Sequence, residues 1–202
     1  MTVPGEVLLF FRGAILGFSI AAPVGPIGIL CIRRTLDGGF RSGFLSGLGA
    51  ATADGLYGLA AALGLAALSS FLLEWNGPLR TGGGLFLLYL GLRALLDRSA
   101  PPAEGQPART APGTTDYFST LFLTLTNPMT ILSFSAIFTG LGPILSPWTL
   151  VAGVFSGSAA WWLILCGTAD RLGTMISPAV LLWIRRGSGI LLASFGLSVL
   201  LF

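Results

Sequence analysis

The feature that most constrains this chain is a succession of apolar stretches, each near the length of a bilayer crossing and separated by polar gaps. A transmembrane helix needs about 20 mostly apolar residues. Six stretches approach or exceed that length: Val7 to Ile32, Gly43 to Ser69, Leu79 to Leu96, Tyr117 to Leu141, Trp148 to Ala169 and Arg186 to Phe202. The last is short, and residues 171–186 read either as a connecting helix or as part of a longer, tilted one. Only 9% of the 202 residues are charged, against about a quarter in a soluble domain. A chain so poor in charge cannot cover itself with a solvated surface. The expected fold is all-α and polytopic, one transmembrane domain over residues 1–202 with the lipid bilayer as its solvent.

The net charge of +3 does not point to nucleic acid. All eleven basic residues are arginines, placed singly or in pairs near the ends of the apolar stretches. Basic flanks of this kind anchor cytoplasmic loops, so no nucleic-acid partner is expected. The loops after the first, third and fifth spans hold Arg33, Arg34, Arg41, Arg98, Arg109, Arg171 and Arg185, with Arg93 and Arg186 close by. The opposite side has Arg12 and Arg80, together with Glu6 and Glu74. Odd-numbered loops are therefore expected in the cytoplasm and both termini outside, in a multi-pass protein of the cytoplasmic membrane. The first apolar stretch runs on too far for a cleaved signal peptide and reads as a retained span.

Residues 99–115, SAPPAEGQPARTAPGTT, have a composition that cannot bury apolar surface and read as a flexible cytoplasmic loop. A loop over 99–116 divides the chain into two three-helix units, 1–98 and 117–202. The two halves resemble each other. GGGLFLLYLGLRALL (82–96) aligns with GSGILLASFGLSVLL (187–201), and GPIGIL (25–30) with NPMTIL (127–132), at offsets of 105 and 102; Gly47 and Gly153 lie 106 apart. Glycine-rich apolar helices can match by chance, but these matches keep one order and nearly one offset. Three spans per repeat is odd, so the second copy inserts upside down. Such inverted repeats build many secondary transporters, with the substrate near the midplane and broken helices around it. The expectation is six transmembrane helices as two inverted repeats, with the first and fourth helices broken.

The breaks carry the chemistry. Ala22-Pro23-Val24-Gly25-Pro26-Ile27-Gly28 places two prolines and two glycines inside the first span. Proline removes a backbone donor and clashes with the preceding turn. An unwound stretch would offer carbonyls and a half-helix N-terminus to a zwitterionic or anionic ligand; the plainer alternative is a proline kink that eases packing. Asn127-Pro128 occupies the corresponding place in the second half. Asp54 lies deep in the second span, where a carboxylate costs about 2.5–3.5 kcal/mol to insert. It reads as a group that binds a substrate ammonium, exchanges protons, or alternates between the two. The structural alternative is a hydrogen bond to a serine or threonine of another helix, or a pair with Arg12. Tyr57, one turn on, could share its helix face. Asp116 and Asp170, like the other acids at span edges, read as solvated termini. Trp161 and Trp162 are candidates for a cavity wall, and Trp75, Trp148 and Trp183 for the interfacial belt.

Taken together, these motifs resemble the lysine-exporter (LysE-type) family of amino-acid exporters. The resemblance rests on GFSIAAPVGPIGILCIRRTLDGGFRSGFLSGLGAATADGLYG (17–58) and LTLTNPMTILSF (123–134), and it extends over essentially the whole chain. It implies that Pro23, Gly25, Pro26, Asp54, Asn127 and Pro128 surround a translocation pathway. It also implies gradient-driven export of an amino acid such as lysine, arginine, threonine, homoserine, leucine or cysteine. Pro-Val-Gly-Pro stands here where a tighter Pro-Gly-Pro is common in the family, so the substrate need not be that of the best-known members.

Two other classes stand beside the exporter. A membrane thiol relay would use Cys31 and Cys166, but the repeat partner of Cys31 is Ser133, which argues against it. An exporter of a metal or other small ion is weakened by the absence of histidine and by two cysteines far apart in sequence. No catalytic set is visible, so neither an enzyme nor a cofactor is expected. A homodimer would suit so small a bundle.

Overall fold

A computed structural model describes residues 3–23, 25–63, 76–96, 113–127, 130, 134, 146–173 and 178–201. Among these residues the chain forms α-helices and no strand.

The first expected span is two helices. Helix α1, Val3–Ala21, and helix α2, Pro26–Gly38, meet at a bend of 82°. Gly25 caps α2 in an extended conformation and Pro26 takes the first helical position, where a missing N–H costs nothing and the fixed φ suits the helix. The bend is far larger than a packing kink.

Helix α2 runs on past Ile32, the expected end of the span, to Gly38. Arg33 and Arg34 are therefore helical rather than in a loop. The loop has shrunk to Gly39, whose φ of +81° lies in the region that glycine alone enters freely. Its N–H bonds the Thr35 carbonyl at 2.8 Å, and its own carbonyl accepts the Ser42 N–H at 3.1 Å. One residue thus closes α2 and opens α3, Phe40–Ala62.

Four more helices follow: α4, Asn76–Leu96; α5, Thr114–Leu125; α6, Pro147–Gly173; and α7, Pro178–Leu201. Helix α5 starts inside the stretch expected to be loop, because Asp116 in its first turn suits the positive end of a helix. It stops at Leu125, just before Asn127, whose following proline disfavours helical backbone. Pro128 lies outside the described residues, as do residues 99–112 and most of the fourth span beyond the break. Helix α7 decides the open boundary at the last span: residues 178–186 belong to it, with Pro178 at its start.

Helix α3 sits at the centre, packed on α2, α5 and α6. Its serines and glycines and the alanines of its middle, among them Ser46, Gly47, Ala50 and Ala53, are buried. The most extensive pairings on either side are α1 with α6 and α4 with α7. Both rest on glycine. A Cβ on Gly157 would overlap the Ala14 carbonyl, and one on Gly17 would overlap that of Val154. A Cβ on Gly91 would come within 2.5 Å of the Ala193 nitrogen, and one on Gly196 within 2.6 Å of the Leu88 nitrogen. Small residues that bring backbones into contact are the usual cement of helix pairs in lipid, where apolar burial drives little.

The outward faces are apolar. Ile15, Leu85, Ile164 and Ile190 are each more than half exposed. Trp148 and Trp183 are 70% and 74% exposed, as interfacial residues would be; Trp75 lies outside the described residues. Among those residues, α6 alone, and α1 with α2 if the bent pair is one span, are long and apolar enough to cross a membrane.

Candidate functional site

The break between α1 and α2 opens onto a cavity of about 340 Å³. That lies at the small end of ligand pockets, which run from about 300 to 1,000 Å³. Pro23, Gly25 and Pro26 at the first break, Asp54 on α3 and Asn127 at the second break all line it. The structure thus brings together every expected site residue it describes except Tyr57.

Asp54 is the cavity's acid. It is 3% exposed and its Oδ2 accepts the Ser158 hydroxyl at 2.7 Å. The Ser158 oxygen in turn accepts the Trp162 indole N–H at 3.1 Å, and Trp162 forms part of the cavity wall. The hydrogen bond to serine, the structural alternative for this residue, is therefore present, while Arg12 is exposed and not its partner. The two roles do not compete. An ionised carboxylate has about four lone-pair sites, and one serine leaves room for a ligand ammonium or a proton.

The other charge complement at the cavity is backbone. The first turn of a helix presents N–H groups without intrahelical acceptors, and Gly25 supplies α2 with no side-chain cap. The helix dipole adds partial positive charge there. Ile27 and Gly28 of this turn line the cavity that Asp54 lines. A buried acid and an uncapped helix start in one small cavity complement the two ends of a zwitterion.

Tyr57 does not join the wall. Its hydroxyl donates to the Leu125 carbonyl at 2.6 Å, at the end of α5. Seven residues after the cavity-lining Ala50, Tyr57 stands within about 20° of it around α3, so position along the helix and this bond, not angle, keep it out of the wall. It satisfies a carbonyl in the last turn of α5, where helical C=O groups run out of partners, and its ring stacks on Phe134 at 5.4 Å. Trp161 likewise packs edge-on against Phe18, at 5.4 Å, instead of lining the cavity.

Several groups were missed or misread in the sequence. Thr124, Thr126 and Thr130 line the cavity around Asn127; the alternation in Thr124-Leu125-Thr126-Asn127 was the available signal. Arg34, expected in a basic loop, donates to Ser46 at 2.8 Å, to Ser119 at 2.8 Å, and to Thr120 and the Asp116 carbonyl at 2.9 Å. Its Nε lies 3.4 Å from the Asp116 carboxylate, which also accepts the Ser42 hydroxyl at 2.7 Å. Asp116 is thus half of an interhelical latch joining α2, α3 and α5, and not a solvated terminus. Asp170 accepts the Phe40 N–H at 3.1 Å, so it caps the start of α3 from α6. Cys31 and Cys166, distant in sequence, share one buried apolar cluster with Trp162 and are both free thiols.

A family model of LysE type translocators matches residues 18–201. The chain belongs to the LysE-type translocator family. Every residue lining the cavity, from Ile20 to Val199, falls within the matched range. Among relatives, the chain is 29% identical to "Putative amino acid efflux protein YcgF" of Bacillus subtilis over 93% of both chains. It is 26% identical to "Chemotactic transduction protein ChpE" of Pseudomonas aeruginosa, over 91% of this chain and 93% of that one. It is also 30% identical to "Uncharacterized membrane protein YahN" of Escherichia coli, over 66% of this chain and 62% of the relative. No solved structure matches the chain. As a LysE-type translocator it is a helical membrane protein of a transporter family, and the relatives support an exporter.

Proposed function

We propose that this translocator is a secondary exporter of amino acids across the cytoplasmic membrane, driven by a proton or ion gradient, with both termini outside. The observation that carries the reading is the buried Asp54 carboxylate in the same small cavity as the uncapped start of α2. Asp54 takes the substrate ammonium, and the N–H groups at the start of α2 take its carboxylate. Protonation of Asp54 from the outer side then displaces the ammonium and releases the amino acid. Asn127, at the second break, adds an amide with donors and an acceptor, and Pro128 keeps that break open.

The architecture behind this mechanism is six spans in two inverted repeats. With α1, α3, α4, α5, α6 and α7 as spans one to six, exchanging the repeats swaps the α1–α6 pairing with α3–α5. It maps α3–α6 and α4–α7 onto themselves. All four pairings occur, and they are the most extensive in the bundle. The bond between Asp54 and Ser158 spans 104 residues, close to the repeat offset, which supports this reading.

The test is efflux from loaded proteoliposomes under an imposed pH gradient, for wild type and Asp54→Asn. Asparagine can still accept the Ser158 hydroxyl, so the packing of α3 on α6 persists while the charge is gone. The reading expects gradient-dependent efflux of at least one amino acid in wild type and none in a folded Asp54→Asn protein. Efflux that survives the substitution would reduce Asp54 to a packing role and refute the mechanism.

A further inference from the structure

The charge inventory of the cavity is uneven in a way that restricts its cargo. Asp54 is the one ionisable side chain that lines it among the described residues, and no arginine does. On α2, Arg33 pairs with Asp37, and Arg34 is spent on Ser46, Ser119, Thr120 and Asp116. The polar groups gather at the two breaks and at Asp54. The remaining wall is formed by Ile20, Ile27, Leu87, Leu123, Phe195 and Val199, contributed by five different helices.

We infer that the exporter selects amino acids with neutral, apolar side chains of about leucine size. The inference rests on the proposed placement of the substrate's ammonium at Asp54 and its carboxylate at the start of α2. With both backbone charges matched there, the side chain meets this hydrocarbon, and the polar groups left beside it, Thr124, Thr126, Thr130 and Asn127, carry no charge. A lysine or arginine substrate brings a second cation, and the one carboxylate of the cavity can neutralise only one. The other would be buried unpaired, which is severely unfavourable in an apolar site. A glutamate substrate brings a second anion beside Asp54 with no cation to receive it. A leucine side chain removes apolar surface from water on both sides of the contact. Each additional buried methylene favours binding by about fourfold, so leucine should exceed alanine by on the order of 50-fold.

The wall also names the residue that would shift this choice. Phe195 lines the cavity from α7, so a carboxylate in its place would join Asp54 in the cavity wall. Phe195→Glu supplies the second carboxylate that a cationic side chain lacks.

The experiment is competition in proteoliposomes: the initial rate of labelled leucine efflux is followed with leucine, isoleucine, methionine, phenylalanine, alanine, lysine or glutamate added in the loaded lumen. For the wild type, leucine, isoleucine, methionine and phenylalanine should compete best, alanine on the order of 10- to 50-fold more weakly, and lysine and glutamate at least 100-fold more weakly. In Phe195→Glu the ratio of lysine to leucine should rise by at least tenfold. Lysine or glutamate competing as well as leucine in the wild type overturns the selectivity and leaves the exporter reading standing. If labelled leucine does not move, each amino acid is tested as labelled cargo. Movement of a charged one alone again overturns only the selectivity, and movement of none overturns both. A Phe195→Glu protein that fails to fold leaves the wild-type ranking as the deciding result.

Discussion

Substituting Gly157 by alanine tests whether the bundle is held by backbone contact. The added Cβ would lie 2.6 Å from the carbonyl carbon of Ala14 and 2.8 Å from its Cα, with the carbonyl oxygen closer still. Ordinary contact begins at about 3.4 Å, and the obstructing atoms are backbone, so no rotamer change relieves the clash. Helices α1 and α6 must separate by roughly 1 Å, and a gap of 0.5–1 Å already forfeits a quarter to a half of each dispersion contact. Overpacking of this kind costs about 1–3 kcal/mol, and the upper half of that range is expected because the α1–α6 crossing extends over several turns. Gly167 on the same helix is the control. A Cβ there meets nothing within 4 Å, so Gly167→Ala gains helix propensity worth up to about 1 kcal/mol. The double variant Gly17→Ala/Gly157→Ala should cost less than the sum of its parts, because both push the same two helices apart. The assay is equilibrium unfolding in mixed micelles followed by far-UV circular dichroism. Equal stability of Gly157→Ala and Gly167→Ala, or strict additivity in the double variant, would refute the reasoning.

Two further outcomes follow from the hydrogen bonds. Arg34→Lys replaces a forked guanidinium by a point charge and should lose at least two of the bonds to Ser46, Ser119, Thr120 and Asp116. The expected cost is about 1.5–3 kcal/mol in the same unfolding assay, and a lysine variant as stable as wild type would show the latch to be idle. Tyr57→Phe removes the donor to the Leu125 carbonyl and should cost about 1–2 kcal/mol while leaving the ranking of exported amino acids unchanged. A changed ranking at unchanged stability would put Tyr57 in the pathway after all.

The break between α1 and α2 and the end of α5 were legible because proline and glycine act locally: Pro26 and Gly25 favour a helix start, and Asn127-Pro128 a helix end. Asp54 was legible because an acid in an apolar stretch has few reasons to be there. The charges at the helix ends were not. Arg34 and Asp116 lie 82 residues apart, as do the Arg34 guanidinium and its backbone acceptor there, and Asp170 caps a helix 130 residues away. Counting arginines by loop reads which side of the membrane they favour but carries no information on what they touch. Gly39 hid the same way, since a single residue with positive φ replaced the loop that the arginines were assigned to. Tyr57 shares a helix face with Ala50 and Asp54, but a shared face does not say how far along the helix a cavity extends.

The two glycine crossings have a mechanical consequence. Backbones in contact have no side chains left to repack, so α1 with α6 and α4 with α7 behave as two stiff leaves. The cavity takes Ile20 and Trp162 from the first leaf and Leu87 and Phe195 from the second; it is the fold of the book between them. Compliance is then confined to the spine, where α2 hangs between Gly25 and Gly39, tied to α5 through Arg34. In the proposed exporter, the cavity would then change shape by the leaves moving relative to each other about that spine, with neither leaf bending.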